Sequence, residues 1–183
     1  MSPKEISRIL NSKIKNNEIV EIFRENIDEF SLLANVVDAS SSLVQFESIS
    51  DFTVNGERII RINDITNIST CDKNESLGFI STISDKENIF RKNPQTKLNL
   101  KSFKDVFQDF VNLKIAVTVE CNFEDAIDYY VGWIKSVSQN IATMQCFDGS
   151  GNMFVDEVKV NIDYVSAITF GDRYTSVMAK YVK

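Results

Sequence analysis

"AIDYYVGW", residues 126–133, reads as the entry to a β-strand: an isoleucine, an acid, two aromatics, then a glycine and the single tryptophan of the chain. One hundred positions earlier "NIDEFSLL", residues 26–33, sets Ile27, Asp28, Phe30 and Leu33 at the matching places. Sliding residues 2–82 against 102–182 without a gap gives 13 identities, among them Ser2, Phe23, Gln45, Ile62 and Ile68 with their partners. Composition alone would give roughly five. Conservative pairs, such as Ile60 with Val160 and Ile65 with Val165, fall mainly where a buried face is expected. Two unrelated β-rich halves would not repeat helix, strands and tail in one order, so the chain reads as one unit written twice.

Each copy opens on a short helical stretch, "SPKEISRIL" and "SFKDVFQDF". Ser2 and Ser102 stand as N-caps, Glu5 and Asp105 complete the capping-box spacing, and Pro3 occupies a first-turn position that needs no N–H. Ile6, Ile9 and Leu10, like Val106, Phe107 and Phe110, share one helical face. Beyond the helix the apolar period changes to two. The second copy gives strands at "IAVTVEC", "YVGWIKSV", "IATMQCF", "VKVNI" and "YVSAITF"; the first gives "EIVEIF", "FSLLANVV", "SLVQFESI", "RIIRIN" and "ITNIS". The expected organisation is therefore a helix-plus-barrel repeat over residues 1–82, a polar linker with Pro94 over 83–101, and a second repeat over 102–183.

Composition bounds the function. Hydrophobic residues make up 43% of the 183 positions, enough for packed cores, and no apolar run nears the roughly 18 residues of a membrane span. "MSPKEISRIL" has no apolar h-region, and Cys71, Cys121 and Cys146 are three wide-spaced cysteines without a C-x-x-C pair. The expected location is cytoplasmic, with reduced structural thiols. The chain has no histidine, hence neither the commonest general base nor the commonest metal ligand. With 26 acidic against 20 basic residues and a net charge of −6, it starts at a disadvantage on phosphate backbones.

A capping helix followed by five bent antiparallel strands resembles the Sm-like (LSm) barrels. The run "VTVECNFEDAIDYYVGWIKSVSQNIATMQCFDGSG" is similar to the first Sm motif, with Gly132 in the bent second strand, where the first copy has Leu32. "IIRINDITNI", residues 59–68, is similar to the second motif, in which an Arg-Gly-Asn turn joins two strands. Arg61 and Asn63 match, and Ile62 replaces the glycine; in the second copy Asn161 stands at the arginine position. SH3-like barrels share much of this pattern. The tail "GDRYTSVMAKYV" also looks like that of small domains recurring in low-GC Gram-positive bacteria. The fold implied is mainly β with short capping helices, two tandem Sm-like or SH3-like five-stranded barrels. RNA binding, where the resemblance implies it, would fall to Asp38 with Arg61 and Asn63, or to Ser138, Gln139 and Asn140 with Asn161.

Other constellations are weaker. "FDGSGNMFVDE", from Phe147, spaces Asp148, Ser150, Asn152 and Asp156 in a way similar to a calcium loop, but Met153 stands where the glycine belongs and Lys159 where the bidentate glutamate belongs. A hairpin turn is the expectation. Glu124 with Asp125, and Asp156 with Glu157, are sequence neighbours that point to opposite faces of a strand and do not converge on one substrate. The six glycines form no phosphate loop. Tyr129, Tyr130 and Trp133, with Tyr174 and Tyr181 of the tail, are expected chiefly in the core. The reading is a non-enzymatic interaction or assembly protein without cofactor, metal or catalytic residues, associating with a protein partner or with itself through barrel edge strands and not with membrane. The alternative is an RNA-binding Sm-like regulator.

Overall fold

The computed structural model describes residues 1–14, 18–89, 96–123 and 126–183. It is mainly β and antiparallel, with four α-helices, and divides after Lys97 into two compact units, Met1–Lys97 and Leu98–Lys183.

The first unit opens with helix α1, Pro3–Lys13, followed by strands β1 Ile19–Phe23, β2 Leu32–Ala39, β3 Leu43–Ser50, β4 Thr53–Arg61 and β5 Asn67–Thr70. Ser2 caps α1 by accepting from the Glu5 amide at 3.3 Å, and Pro3 takes the first turn. Each deed of the capping residue satisfies an amide that has no partner within the helix. Ile6 and Leu10, one turn apart, are buried with Val20, Ile22, Ala34, Val36, Val44, Phe46, Ile60, Ile62 and Ile68. Burying each of these side chains except Ala34 stabilises the fold by about 1.5–3 kcal/mol, which fixes the helix to the sheet far more firmly than its cap does.

Across the sheet the order is β5-β1-β2-β3-β4. The chain therefore carries from the last strand of a meander back to the side of the first. It does so through a 3-10 turn, Ile62–Asp64, whose leading amide donates to the Ser42 carbonyl at 2.9 Å. Val37 is an extra residue in β2, where the register with β3 shifts between Val36 and Asp38, and such a bulge bends its strand.

Helix α2, Glu75–Lys86, is absent from the sequence expectation. Asn74 caps it through the Leu77 amide at 3.1 Å, and Leu77 packs with Ile19 and Ile49, joined by Leu33, Cys71, Ile80 and Ile89. The expected linker, 83–101, is thus narrower at both ends: its first residues complete α2, and Leu98 and Leu100 are buried. Pro94 lies outside the described residues. The polar sequence after Ile83 obscured a helix that buries only a narrow stripe.

The second unit has α3 Phe103–Leu113, β6 Ala116–Asn122, β7 Ile127–Ser138, β8 Ile141–Cys146, β9 Val158–Asn161 and β10 Val165–Phe170, then α4 Arg173–Met178. Ser102 caps α3 through the Asp105 amide at 3.2 Å, and Phe103, Val106, Phe107 and Phe110 are buried, with Phe110 edge-on to Phe170 at 5.1 Å. Strand order is β10-β6-β7-β8-β9, and a 3-10 turn, Ile162–Tyr164, again precedes the last strand. Its Ile162 amide donates to the Asn140 carbonyl at 2.9 Å.

Residue pairing refines the hundred-residue spacing. Lys135 is the bulged residue of β7 as Val37 is of β2, and Val119 faces Ile168 as Ile22 faces Ile68. The matching spacing is 100 in the first helices and the last strands, but 98 at the bulge and 97 in the first strand. Asn35, not Leu33, therefore occupies the place of Trp133. Ile27 and Asp28 lie in the turn after β1, whereas Ile127 and Asp128 lie in β7, so the most conspicuous identity in the sequence is not a structural equivalence.

The tight spot of the second unit is Gly132. A Cβ there would stand 2.0 Å from the Gln145 carbonyl oxygen and 2.8 Å from Cys146 Cα, both backbone atoms that cannot turn aside. Gly132→Ala is expected to destabilise the second unit by about 3 kcal/mol or more, since overpacking against backbone forces the strands apart. Urea denaturation followed through Trp133 fluorescence measures it; an unchanged midpoint would contradict the close approach.

Candidate functional site

The turns singled out by the resemblance do come together in space. Asn140 and Asn161 meet through Asn140 Nδ2 donating to Asn161 Oδ1 at 3.0 Å. The same oxygen accepts from the Asp163 amide at 3.1 Å, capping the 3-10 turn. Asn161 is thus engaged on the turn's own backbone, and Ser138 and Gln139 stand exposed beside it, Gln139 with a left-handed φ of 52°. What the sequence reads as a possible base-binding group is the fastener between the β7–β8 turn and the β9–β10 crossing.

In the first unit Arg61 ends β4 opposite Leu43, Asn63 is exposed in the 3-10 turn, and Asp38 is exposed at the end of β2. Asp38 Oδ1 accepts from the Ala39 amide at 2.8 Å. Ser40 Oγ accepts from the Ser42 and Leu43 amides, both at 2.9 Å, and the Ser40 carbonyl accepts from Ser7 Oγ of α1 at 3.1 Å. Helix, β2–β3 turn and crossing are therefore one hydrogen-bonded assembly.

Two features of this corner escaped the sequence reading. Arg24, only 1% exposed, holds Asp28 with Nε at 2.6 Å and Nη2 at 2.7 Å, while the Arg24 carbonyl accepts from the Ile27 and Asp28 amides. A fork-to-fork pair of this kind is strong and directional. The i, i+4 spacing of the two residues was the available signal. Second, Pro3, Lys4, Ser7, Arg8, Asn11 and Ser41 line a groove of about 430 Å³ between α1 and the β2–β3 turn. Lys4, Arg8 and Asn11 recur at helical spacing, a pattern visible in the sequence but read there only for its apolar face.

The remaining candidates resolve as structure. Asp148 Oδ1 accepts from the Ser150 and Asn152 amides at 2.8 and 2.9 Å, which closes a turn and holds the carboxyl below its ordinary range. Asp156 and Glu157 are exposed, and Glu124 and Asp125 lie outside the described residues. Cys121 and Cys146 are buried free thiols, and burial pushes Cys146 up to about 11. The expectation of core aromatics needs correction: Tyr129 is 61% exposed and Tyr181 73%, and Tyr174 is exposed too. Trp133 is half-buried, tilted against Phe147 at 5.4 Å. Tyr129 stands clear because β7 runs on past the end of β8. No helix among the described residues is long and apolar enough to cross a membrane.

No protein-family model matches the chain, and no curated protein matches it. Among solved structures, MrkH of K. pneumonia in its apo state is similar at 10% identity, covering 98% of this chain and 91% of that one. The TM-score is 0.20, and at that value the likeness carries no argument.

Burial raises the Asp64 carboxyl above its ordinary value, against the opposing pull of the Arg61 and Arg24 guanidinium groups. A raised carboxyl favours the fold at low pH, and that contribution is lost as pH rises through the folded-state value. Asp64→Asn is therefore expected to raise the urea midpoint at neutral pH, with the gain shrinking to nothing once both forms are neutral in acid. A gain that persists unchanged in acid would show that charge is not its origin.

Proposed function

We propose that the chain is a non-catalytic interaction or assembly protein made of two Sm-like or SH3-like barrels in tandem, a duplicated unit that associates through strand edges. The curl is supported by the length of the crossings. Opposite margins of a flat five-stranded sheet lie about 19 Å apart, four spacings of ~4.8 Å. The three residues between Asn161 and Val165 form a 3-10 turn, and at ~2 Å per residue they reach about half that distance. A sheet rolled toward itself is what so short a crossing favours, and the crossing after Arg61 is only two residues longer.

The observation that carries the functional reading is the pair of outer strands. Among the described residues, β5 is hydrogen-bonded on one side by β1 and β9 on one side by β8. Unpaired strand edges recruit extended chains by main-chain hydrogen bonds. The Ile162 amide donates back to Asn140, so the alternation of the ladder turns the Lys159 amide outward. Lys159→Pro removes that outward donor while sparing the bonds to β8. Light scattering after size exclusion is expected to give a mass above the 20.8 kDa of one chain, reduced in Lys159→Pro. A monomeric mass at every concentration would remove self-association from the proposal.

A second reading, an RNA-binding regulator, is favoured by the groove that brings Lys4 and Arg8 beside the β2–β3 turn and its hydrogen-bonded crossing. Uridine-rich oligonucleotides titrated at low and physiological salt test it. Salt-sensitive binding weakened by Arg61→Ala and by Lys4→Ala is expected on this reading, since each phosphate contact adds to the salt slope. Silence into the high micromolar range would retire it.

A further inference from the structure

The β6–β7 hairpin reaches beyond the rest of its sheet. β6 pairs with β7 as far as Asn122 opposite Ile127, while β8 meets β7 only from Gly132 onward, opposite Cys146. One further bond, from the Phe147 amide to the Val131 carbonyl at 3.0 Å, ends the contact on that side. The carbonyl of Val131 thus points toward β8, and the alternation of an antiparallel ladder turns the amides and carbonyls of Ile127 and Tyr129 the same way. The Phe123 amide, donating to the Ala126 carbonyl at 2.8 Å, fits the same alternation from the other end of the hairpin. Beside Ile127 and Tyr129, no described strand pairs with β7 on that edge.

The edge lacks the usual protection. Outer strands are commonly guarded by lysine, proline or brevity. β9 carries Lys159 and spans four residues, as does β5. The projecting part of β7 instead shows Ile127 and Tyr129 to solvent on one face, and on the other exposed Asp128, which accepts from the half-buried Tyr130 hydroxyl at 3.1 Å. Residues 115–134 contain four acids, Glu120, Glu124, Asp125 and Asp128, and neither lysine nor arginine. A second copy added here would bring Asp128 against its own like charge. An extended segment of opposite charge would not.

We propose that the outer edge of β7 at Ile127–Tyr130 takes up an extended segment of a partner polypeptide with alternating basic and apolar residues. The partner's backbone pairs with the Ile127 and Tyr129 amides and carbonyls, its apolar side chains lie against Ile127 and Tyr129, and its basic ones face Asp128. This rests on the reading of the chain as an edge-pairing interaction protein, and it selects the edge and the chemistry of what binds there.

The probe is a capped peptide of about eight residues alternating lysine and valine, with a glutamate–valine peptide as control, titrated into the full chain by fluorescence anisotropy and amide NMR. The lysine–valine peptide is expected to bind, with the largest amide shifts at Ile127–Tyr130, and the control to bind at least about tenfold more weakly, a difference that salt narrows. Tyr129→Pro deletes one outward amide without touching the ladder to β6 and should abolish binding. Asp128→Lys, which leaves the backbone intact, should exchange the peptide preference and so keeps the test decisive if the proline variant fails to fold. Equal affinity for both peptides, undiminished binding by a folded Tyr129→Pro, or no binding at all would overturn the proposal. So would a dimer that Tyr129→Pro dissolves, which would assign the edge to a second copy. Association that depends on Lys159 but not on Tyr129 would leave edge pairing standing and sink this site alone.

Discussion

Two backbone hydrogen bonds, from Ile62 to Ser42 and from Ile162 to Asn140, hold the crossing by which each unit returns its last strand to the side of its first. The turn residues singled out by the Sm-like resemblance depend on them. They set the 3-10 turn against the turn between the second and third strands, and so bring Arg61 and Asn63 near Ser40–Ser42, and Asn161 onto Asn140. The side chains then elaborate the junction differently. Asn161 spends its oxygen on the turn itself, whereas the first unit recruits helix α1 to its turn through Ser7.

Much of this was legible in the sequence because it follows local rules. The caps at Ser2 and Ser102 and the apolar stripes behind them place both opening helices, and alternation places most strands to within a few residues, while β4 begins at Thr53, five residues ahead of the expected "RIIRIN". Gly132 was readable as a crowded point because a lone glycine in a strand signals close approach. What the sequence hid depends on partners far along the chain. The bulges at Val37 and Lys135 show only in the pairing, and the offset arises in the connections: the one from opening helix to first strand is three residues shorter in the second unit, so a gapless comparison matches Leu33 with Trp133 when the pairing matches Asn35. Helix α2 was hidden differently: its apolar residues Leu77, Phe79, Ile80 and Ile83 make a weakly one-sided pattern in which Phe79 stands exposed, and only its end from Ile83 falls in the expected linker.

The exposed aromatics show where a general tendency yields to a particular length. Alternating tyrosines in a strand normally have a neighbour on both sides, and burial follows. Here β7 is twelve residues long and β8 six, so among the described residues no third strand lies beside Tyr129. Strand lengths depend on where turns fall, and the turn at Asp148, closed by the Ser150 and Asn152 amides, stops β8 early. A carboxylate in one loop thereby decides the exposure of a ring in another strand.

The Arg24–Asp28 pair bears on how the chain meets a changing environment. Its guanidinium is out of reach of solvent, and mobile ions screen only what they can approach. The corner it ties should hold its shape in brine and in dilute buffer alike, while any attachment relying on the acids of the β6–β7 hairpin would loosen as salt accumulates. The protein thus pairs a joint indifferent to ionic conditions with a surface that registers them.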